Sequence, residues 1–218
     1  MPAGGRPRPG VIRTRRWGEP LTVGEVMLAH PAVVLRHLGL LDDQLYVRPD
    51  GLAKQDRIEL AVECALRERQ IELADLMMRG GKATAELCVI RALRGIEPPT
   101  ESYAETRALQ LLRAHGWHPW RQVPILTGGR ILQRVDFVLP LGTGRRPELL
   151  RPEHGVLLEI DGRGPHESRF EEDHRRQTNY DRLGYRWLSL TPTQIEHQPL
   201  LSMQAVERVY CEARTRWA

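Results

Sequence analysis

RVDFVLP (residues 134–140) and GVLLEIDG (residues 155–162) decide the fold. Side chains alternate across a β-strand. In the first run Val135, Phe137 and Leu139 share one face and Asp136 takes the other. In the second, Val156, Leu158 and Ile160 share a face, while Glu159 and Asp161 point opposite. Each run predicts a strand with an apolar face for a core and carboxylates on the reverse. As neighbours, the two strands would bring Asp136, Glu159 and Asp161 to one patch. Crowded carboxylates repel one another and are costly to desolvate. A bound divalent cation is the simplest reason to collect them, and hard oxygen donors suit Mg²⁺ or Mn²⁺. The plain alternative is a set of exposed charges on an edge strand.

Working outward, RQVPIL (121–126), a Thr-Gly-Gly turn (127–129) and ILQRVDFVLP form a hairpin pattern with a Gly-rich loop. Before it, SYAETRALQLLRAHG (102–116) predicts a helix with Ser102 as N-cap and Gly116 past its end. After the second strand, SRFEEDHRRQTNYDRLG (168–184) reads as a polar helix, YRWLSLT (185–191) as a strand and PLLSMQAVERVYCEARTRW (199–217) as a closing helix. The expected fold class is α/β (α+β): a mixed sheet with strands at 123–126, 132–139, 156–161 and 186–190, flanked by helices.

Glu105 aligns with Leu109 and Leu112 at i, i+4 and i+7, on the inward stripe of its helix. Two readings stay open. It is a fourth carboxylate for the patch, or it closes a capping box in which the third helical residue reaches back to the Ser102 amide.

Three regions are expected along the chain. Residues 1–20, rich in Gly, Pro and Arg, read as a flexible basic arm with no apolar stretch of a secretory signal behind it. Residues 21–99 read as a helical support or docking region, a surface for a protein partner. There LTVGEVMLAHPAVVLRHLG (21–39) is largely apolar, and Ile58, Ala61, Val62, Ala65 and Leu66 form one helical stripe. KATAELCVIRALRG (82–95) reads as a further short helix. Residues 100–218 form the sheet domain.

The 218 residues carry 32 Lys plus Arg against 28 Asp plus Glu, a net charge of +4, which permits a nucleic-acid partner without demanding one. Lys54 and Lys82 are the only lysines, and an Arg skew of that kind reflects base composition of the genome more than DNA binding. No apolar run approaches the roughly 20 residues of a membrane helix. Cys64, Cys88 and Cys211 lack CxxC spacing, so free, buried thiols in a reducing cytoplasm are expected.

Glu105, the Arg-Val-Asp136-Phe run, Leu-Glu159-Ile-Asp161-Gly162, His166, Asp173, Arg176 and the strand after Gly184-Tyr185 resemble, in that order, the Vsr-like endonuclease domain. That domain is the very-short-patch-repair-like branch of the PD-(D/E)XK nucleases, and the resemblance covers residues 102–217, about half the chain. It implies a restriction-endonuclease-like sheet and Mg²⁺- or Mn²⁺-dependent hydrolysis of DNA, in repair or defence. Asp136 and Glu159 would be the central metal ligands and Glu105 the acid from the first helix. Asp161 stands where many of the superfamily have Lys, although an acid is usual in this branch. His166, after the loop Arg163-Gly-Pro, would act on a proton or orient water, or is a plain loop histidine. Asp173 and Arg176, at i, i+3, would support the site or contact phosphate, or form a surface ion pair. Arg175 and Gln177 are expected at the nucleic acid. Ser189 departs from the Arg that the family often carries there. The alternative is a nuclease fold without catalysis, a DNA-binding or toxin–antitoxin-type partner module.

Overall fold

The computed structural model describes residues 21–23, 26–28, 31, 34–35, 54–72, 98–142, 145–161 and 167–217. Its elements run β1 (Leu21–Val23), β2 (Val26–Leu28), α1 (Lys54–Arg67), α2 (Tyr103–Ala114), β3 (Trp120–Thr127), β4 (Arg130–Pro140), β5 (Gly155–Ile160), α3 (Glu167–Arg182), β6 (Trp187–Leu190), α4 (Pro192–His197) and α5 (Pro199–Trp217). The expected order of the second half is met, with the short α4 added. The helix expected at 82–95, Cys88 and the arm at 1–20 lie outside the described residues.

The sheet order is β3-β4-β5-β6. β3/β4 and β4/β5 are antiparallel and β5/β6 parallel, so α3 is the crossover between the parallel pair. Gly128 and Gly129 turn the β3–β4 hairpin at φ +57 and +76, a left-handed pair that glycine adopts without strain. At Gly155 space decides instead. A Cβ there would lie 2.5 Å from Val138 Cγ1 and 2.7 Å from the Leu139 oxygen, so β4 and β5 approach closely only because it has none.

Helices cover both faces of the sheet. On one, Phe137, Leu139, Val156, Leu158 and Ile160 pack with Leu109 and Leu112 of α2 and Met203 and Val206 of α5. On the other, Val138 and Leu157 pack with Tyr180 of α3 and with Tyr185. The reverse face of the strands is thus not purely carboxylate, as the alternation alone suggested. Its Val138 and Leu157 positions are core, and the acids Asp136 and Glu159 follow two residues along each strand.

Two expectations upstream are corrected. The apolar run at 21–39 begins as a hairpin, β1 pairing β2 from Leu21↔Leu28 to Val23↔Val26. β-branched Thr22, Val23 and Val26 favour strand. α1 buries Ile58, Val62 and Ala65 as expected, but also Glu59 and Glu63, whereas Ala61 and Leu66 are only half-buried. The inward stripe is turned toward the acids because cations meet them there: Arg113 of α2, on which α1 packs, for Glu59, and Arg121 of β3 for Glu63. The Glu63–Arg121 pair, 2.9 Å apart and 0% and 4% exposed, is one whose single-partner removal costs about 3–5 kcal/mol.

Cys64 and Cys211 are free, as expected, but exposed rather than buried. Cys211 lies off the inward face of α5, which is made by Met203, Val206 and Ala213. Among the described residues no helix is long and apolar enough to cross a membrane.

Candidate functional site

Register places the acids. Val138 pairs with Leu157 and, on the parallel side, Leu157 with Trp187, while Trp120 pairs with Val138. These four side chains form an apolar row across one face. Two residues along each strand, the same face carries Gln122, Asp136, Glu159 and Ser189, one from every strand. The Glu159↔Ser189 pair belongs to the ladder. Asp136 and Glu159 face each other by count from Phe137↔Leu158. The row borders a cleft of about 430 Å³, which Glu105, Asp161, Arg176 and Gln177 also line.

Each acid is held by particular donors. The Ile160 amide donates to Asp136 Oδ2 at 2.8 Å, tying the β4 acid to the backbone of β5. Arg176 Nη2 donates to Glu159 Oε1 at 2.9 Å and to the Arg134 carbonyl oxygen at 3.0 Å. The Tyr180 hydroxyl donates to the same Glu159 oxygen. Glu105 comes from the first turn of α2, where Ser102 caps the helix by accepting from the Glu105 amide. The expected box does not close on Ser102. Glu105 Oε2 accepts instead from the Glu101 amide at 2.7 Å and from Gln122 Nε2 at 2.9 Å. With Glu105 only 5% exposed, its carboxylate is aimed into the cleft side of the helix and not merely spent on a cap.

Electrostatics follow from that burial. Desolvation, then the Asp136 charge, push Glu105 up to about 7. Desolvation and Asp136 push Glu159 up to about 8, against the pull of Arg176 and the Tyr180 hydrogen bond. Asp136 is also raised by burial, although the Ile160 amide and a hydrogen bond with Glu159 hold it down. Burial raises the Tyr180 hydroxyl first, and the Glu159 charge adds to it, so Tyr180 stays a donor.

The predicted residues divide clearly. Glu105, Asp136, Glu159, Asp161, Arg176 and Gln177 come together in the cleft. Asp161 is its exposed member, just past β5. Arg175 is exposed on α3 and is not among the lining residues, because Arg176 takes the inward position beside it. Arg176 spends its charge on Glu159. His166 and the side chain of Asp173 lie outside the described residues. Asp136, Glu159 and Asp161 share the cleft but do not close on one point. Among the described residues no group of three or more His, Cys, Asp or Glu stands ready to hold a metal ion. The reason is local: Glu159 is turned to Arg176 and Tyr180, and Glu105 to Glu101 and Gln122.

Sequence reasoning does not find Tyr180, Gln122 or the Arg134–Glu101 pair, 2.6 Å apart at the cleft. Tyr180 had a signal, lying four residues after Arg176 on one helix face. Gln122 had none: its φ of +47 is left-handed, a conformation rare in a glutamine.

The chemistry of the donor set fits a divalent cation. Five carboxylates, Glu101, Glu105, Asp136, Glu159 and Asp161, line one cleft, and burial with the nearby Asp136 charge raises Glu105 and Glu159 to about 7 and 8. A cation would replace protons on hard oxygen donors. Compared with known proteins, the chain matches no family model, no curated protein and no solved structure.

Proposed function

We propose that the cleft hydrolyses phosphodiester bonds in DNA with the help of Mg²⁺ or Mn²⁺. One observation carries this reading: Asp136 and Glu159, set opposite each other on neighbouring strands, gather with Glu105 in a cleft where burial raises all three acids above the ordinary carboxylate range. The resemblance of residues 102–217 to Vsr-like endonucleases supports it. Asp136, Glu159 and Glu105 would hold the ion. When bound, the ion supplies a polarised phosphate and a water of lowered pKa.

The chain's own residues do the rest. Arg176 and Tyr180 keep Glu159 aimed, the Ile160 amide fixes Asp136, and the Glu101 amide with Gln122 orients Glu105. Asp161, at the open end, takes a proton from water or orients it. Gln177, half-buried at the rim, and Arg175, exposed beside it, contact the nucleic-acid backbone. His166 is the proton-handling candidate contributed by the segment after Asp161.

The test is cleavage of duplex, nicked, mismatched and single-stranded DNA by purified protein, with and without Mg²⁺ or Mn²⁺. Metal-dependent cleavage of at least one form is expected. DNA binding with no cleavage of any form would favour the second reading, a non-catalytic nuclease-fold module. The engagement of Glu159 by Arg176 and Tyr180 is the observation that favours that reading.

A further inference from the structure

α1 precedes the sheet domain, and neither its spacing nor the resemblance gives it a part in the cleft. Its Glu63 is nevertheless wholly buried, a carboxylate with three donors. Oε2 accepts from the Thr100 amide at 2.9 Å and the Thr100 hydroxyl at 3.2 Å, and Oε1 accepts from Arg121 Nη1 at 2.9 Å. The residue after Thr100 is Glu101, whose amide donates to Glu105 Oε2. The residue after Arg121 is Gln122, whose side chain donates to the same oxygen. One carboxylate on α1 thus grips two separate segments, each one residue ahead of a donor that grips Glu105.

The left-handed backbone of Gln122 strengthens the point. Such a conformation persists in a non-glycine residue only where its surroundings impose it. Arg121, 4% exposed and paired with Glu63, occupies the adjacent position. Thr100 is secured a second time through its hydroxyl contact with Thr106 at 2.7 Å, so the first segment is anchored to both α1 and α2.

We propose that Glu63 is a positioning residue for the cleft: by fixing Thr100 and Arg121, α1 sets where Glu105 presents its carboxylate. This deepens the metal-dependent reading above, in which Glu105 takes part. It makes α1 an integral part of the site, and not only a support.

The test uses the full chain and its Glu63→Gln variant. A glutamine cannot accept from Thr100 and Arg121 at once, because one of its two positions is an NH₂. Amide hydrogen exchange followed by NMR is expected to show the Glu101 amide exchanging at least tenfold faster, with the Gln122 side-chain signals shifted. The β4–β5 ladder amides stay as protected as in the parent. If DNA cleavage is present in the parent, kcat falls at least tenfold with KM within twofold. Should Glu63→Gln fail to fold, the paired Glu63→Met/Arg121→Met replacement removes both charges together and serves in its place. Unchanged Glu101 exchange in the variant that folds overturns the proposal. So does faster exchange of all strand amides in step, which would mark a merely structural role. A parent that cleaves no DNA counts against the nuclease reading alone, since the exchange measurement still decides the positioning.

Discussion

The hydroxyl of Tyr180 donates to Glu159, on the oxygen that also accepts from Arg176 at 2.9 Å. Both donors favour the charged carboxylate, yet burial and Asp136 still raise Glu159 to about 8. Tyr180→Phe removes one donor and keeps the ring in the core. Glu159 should then hold its proton more tightly, and cation affinity should fall about 10- to 100-fold, as for other groups that orient a ligand. Stability should change by only about 1 kcal/mol. Calorimetric titration with Mn²⁺ reads the first and thermal melting the second. An unchanged Mn²⁺ affinity would detach Tyr180 from the site.

Glu105 and Glu159 bind protons more tightly folded than unfolded. Between the ordinary carboxylate value of 4.5 and about 7 to 8, the folded chain therefore carries more protons. Stability of the metal-free protein should fall as pH rises through that window. Glu105, at 5% exposure, contributes about 3 kcal/mol at most. Millimolar Mg²⁺ should flatten the slope above pH 7, since the cation binds the deprotonated acids. Melting temperatures at pH 5, 6, 7 and 8, with and without Mg²⁺, check this. A metal-free slope equal to that of Glu105→Gln would show that Glu105 is not the group responsible.

The sheet and its acids are legible in the sequence because period-2 alternation around Asp136 and Glu159 is a local signal. Register is not local. That Gln122, Asp136, Glu159 and Ser189 form one row depends on pairings between segments far apart in the chain, and no propensity states them. Nor does spacing reveal that Glu59 and Glu63 face inward, since the cation for Glu63 lies 58 residues away. Ser189, notable in the sequence only as a departure from Arg, proves to be the direct neighbour of Glu159 across the parallel pair. The strand pair at 21–23 and 26–28 is hidden for a different reason: an apolar run suits a buried helix as well as a strand, and only the β-branched Thr22, Val23 and Val26 point to strand.

Gly155 tests the close packing that brings β4 beside β5. A Cβ would meet the Leu139 carbonyl as well as the tip of Val138, and backbone cannot rotate aside as a side chain can. Gly155→Ala should therefore destabilise the domain by about 1–3 kcal/mol, the usual range for overpacking. Because Asp136 and Glu159 stand further along the same two strands, the shift should reach the cleft as well. Chemical denaturation measures the loss. A variant as stable as the parent would mean that the strands separate freely there.

Asp136→Asn removes a charge that raises both Glu105 and Glu159, while its amide oxygen can still accept from Ile160. The metal-free variant should be at least as stable as the parent, and its melting temperature should depend less on pH. Metal-dependent cleavage should be lost. A variant that melts well below the parent without metal would mean that Asp136 serves the fold, not a ligand.

Glu105→Gln separates the two readings that the helix alone left open. Glutamine keeps an oxygen for the Glu101 amide, and the Ser102 cap on the Glu105 amide is untouched, so the helix start should survive. Gln122 can turn its own amide to remain a partner. The variant loses only the negative charge, which is costly in this buried place. Its metal-free stability should hold or rise, and the contribution of Glu105 to the pH slope should vanish. If Glu105 only caps, cleavage and Mn²⁺ affinity stay at parental levels. If it is the third acid of the site, Mn²⁺ affinity falls at least tenfold and cleavage is lost at normal melting temperature. The proposed function expects the second outcome; the carboxylate reaches past Ser102 to a residue on β3 and shares its cleft with Asp136.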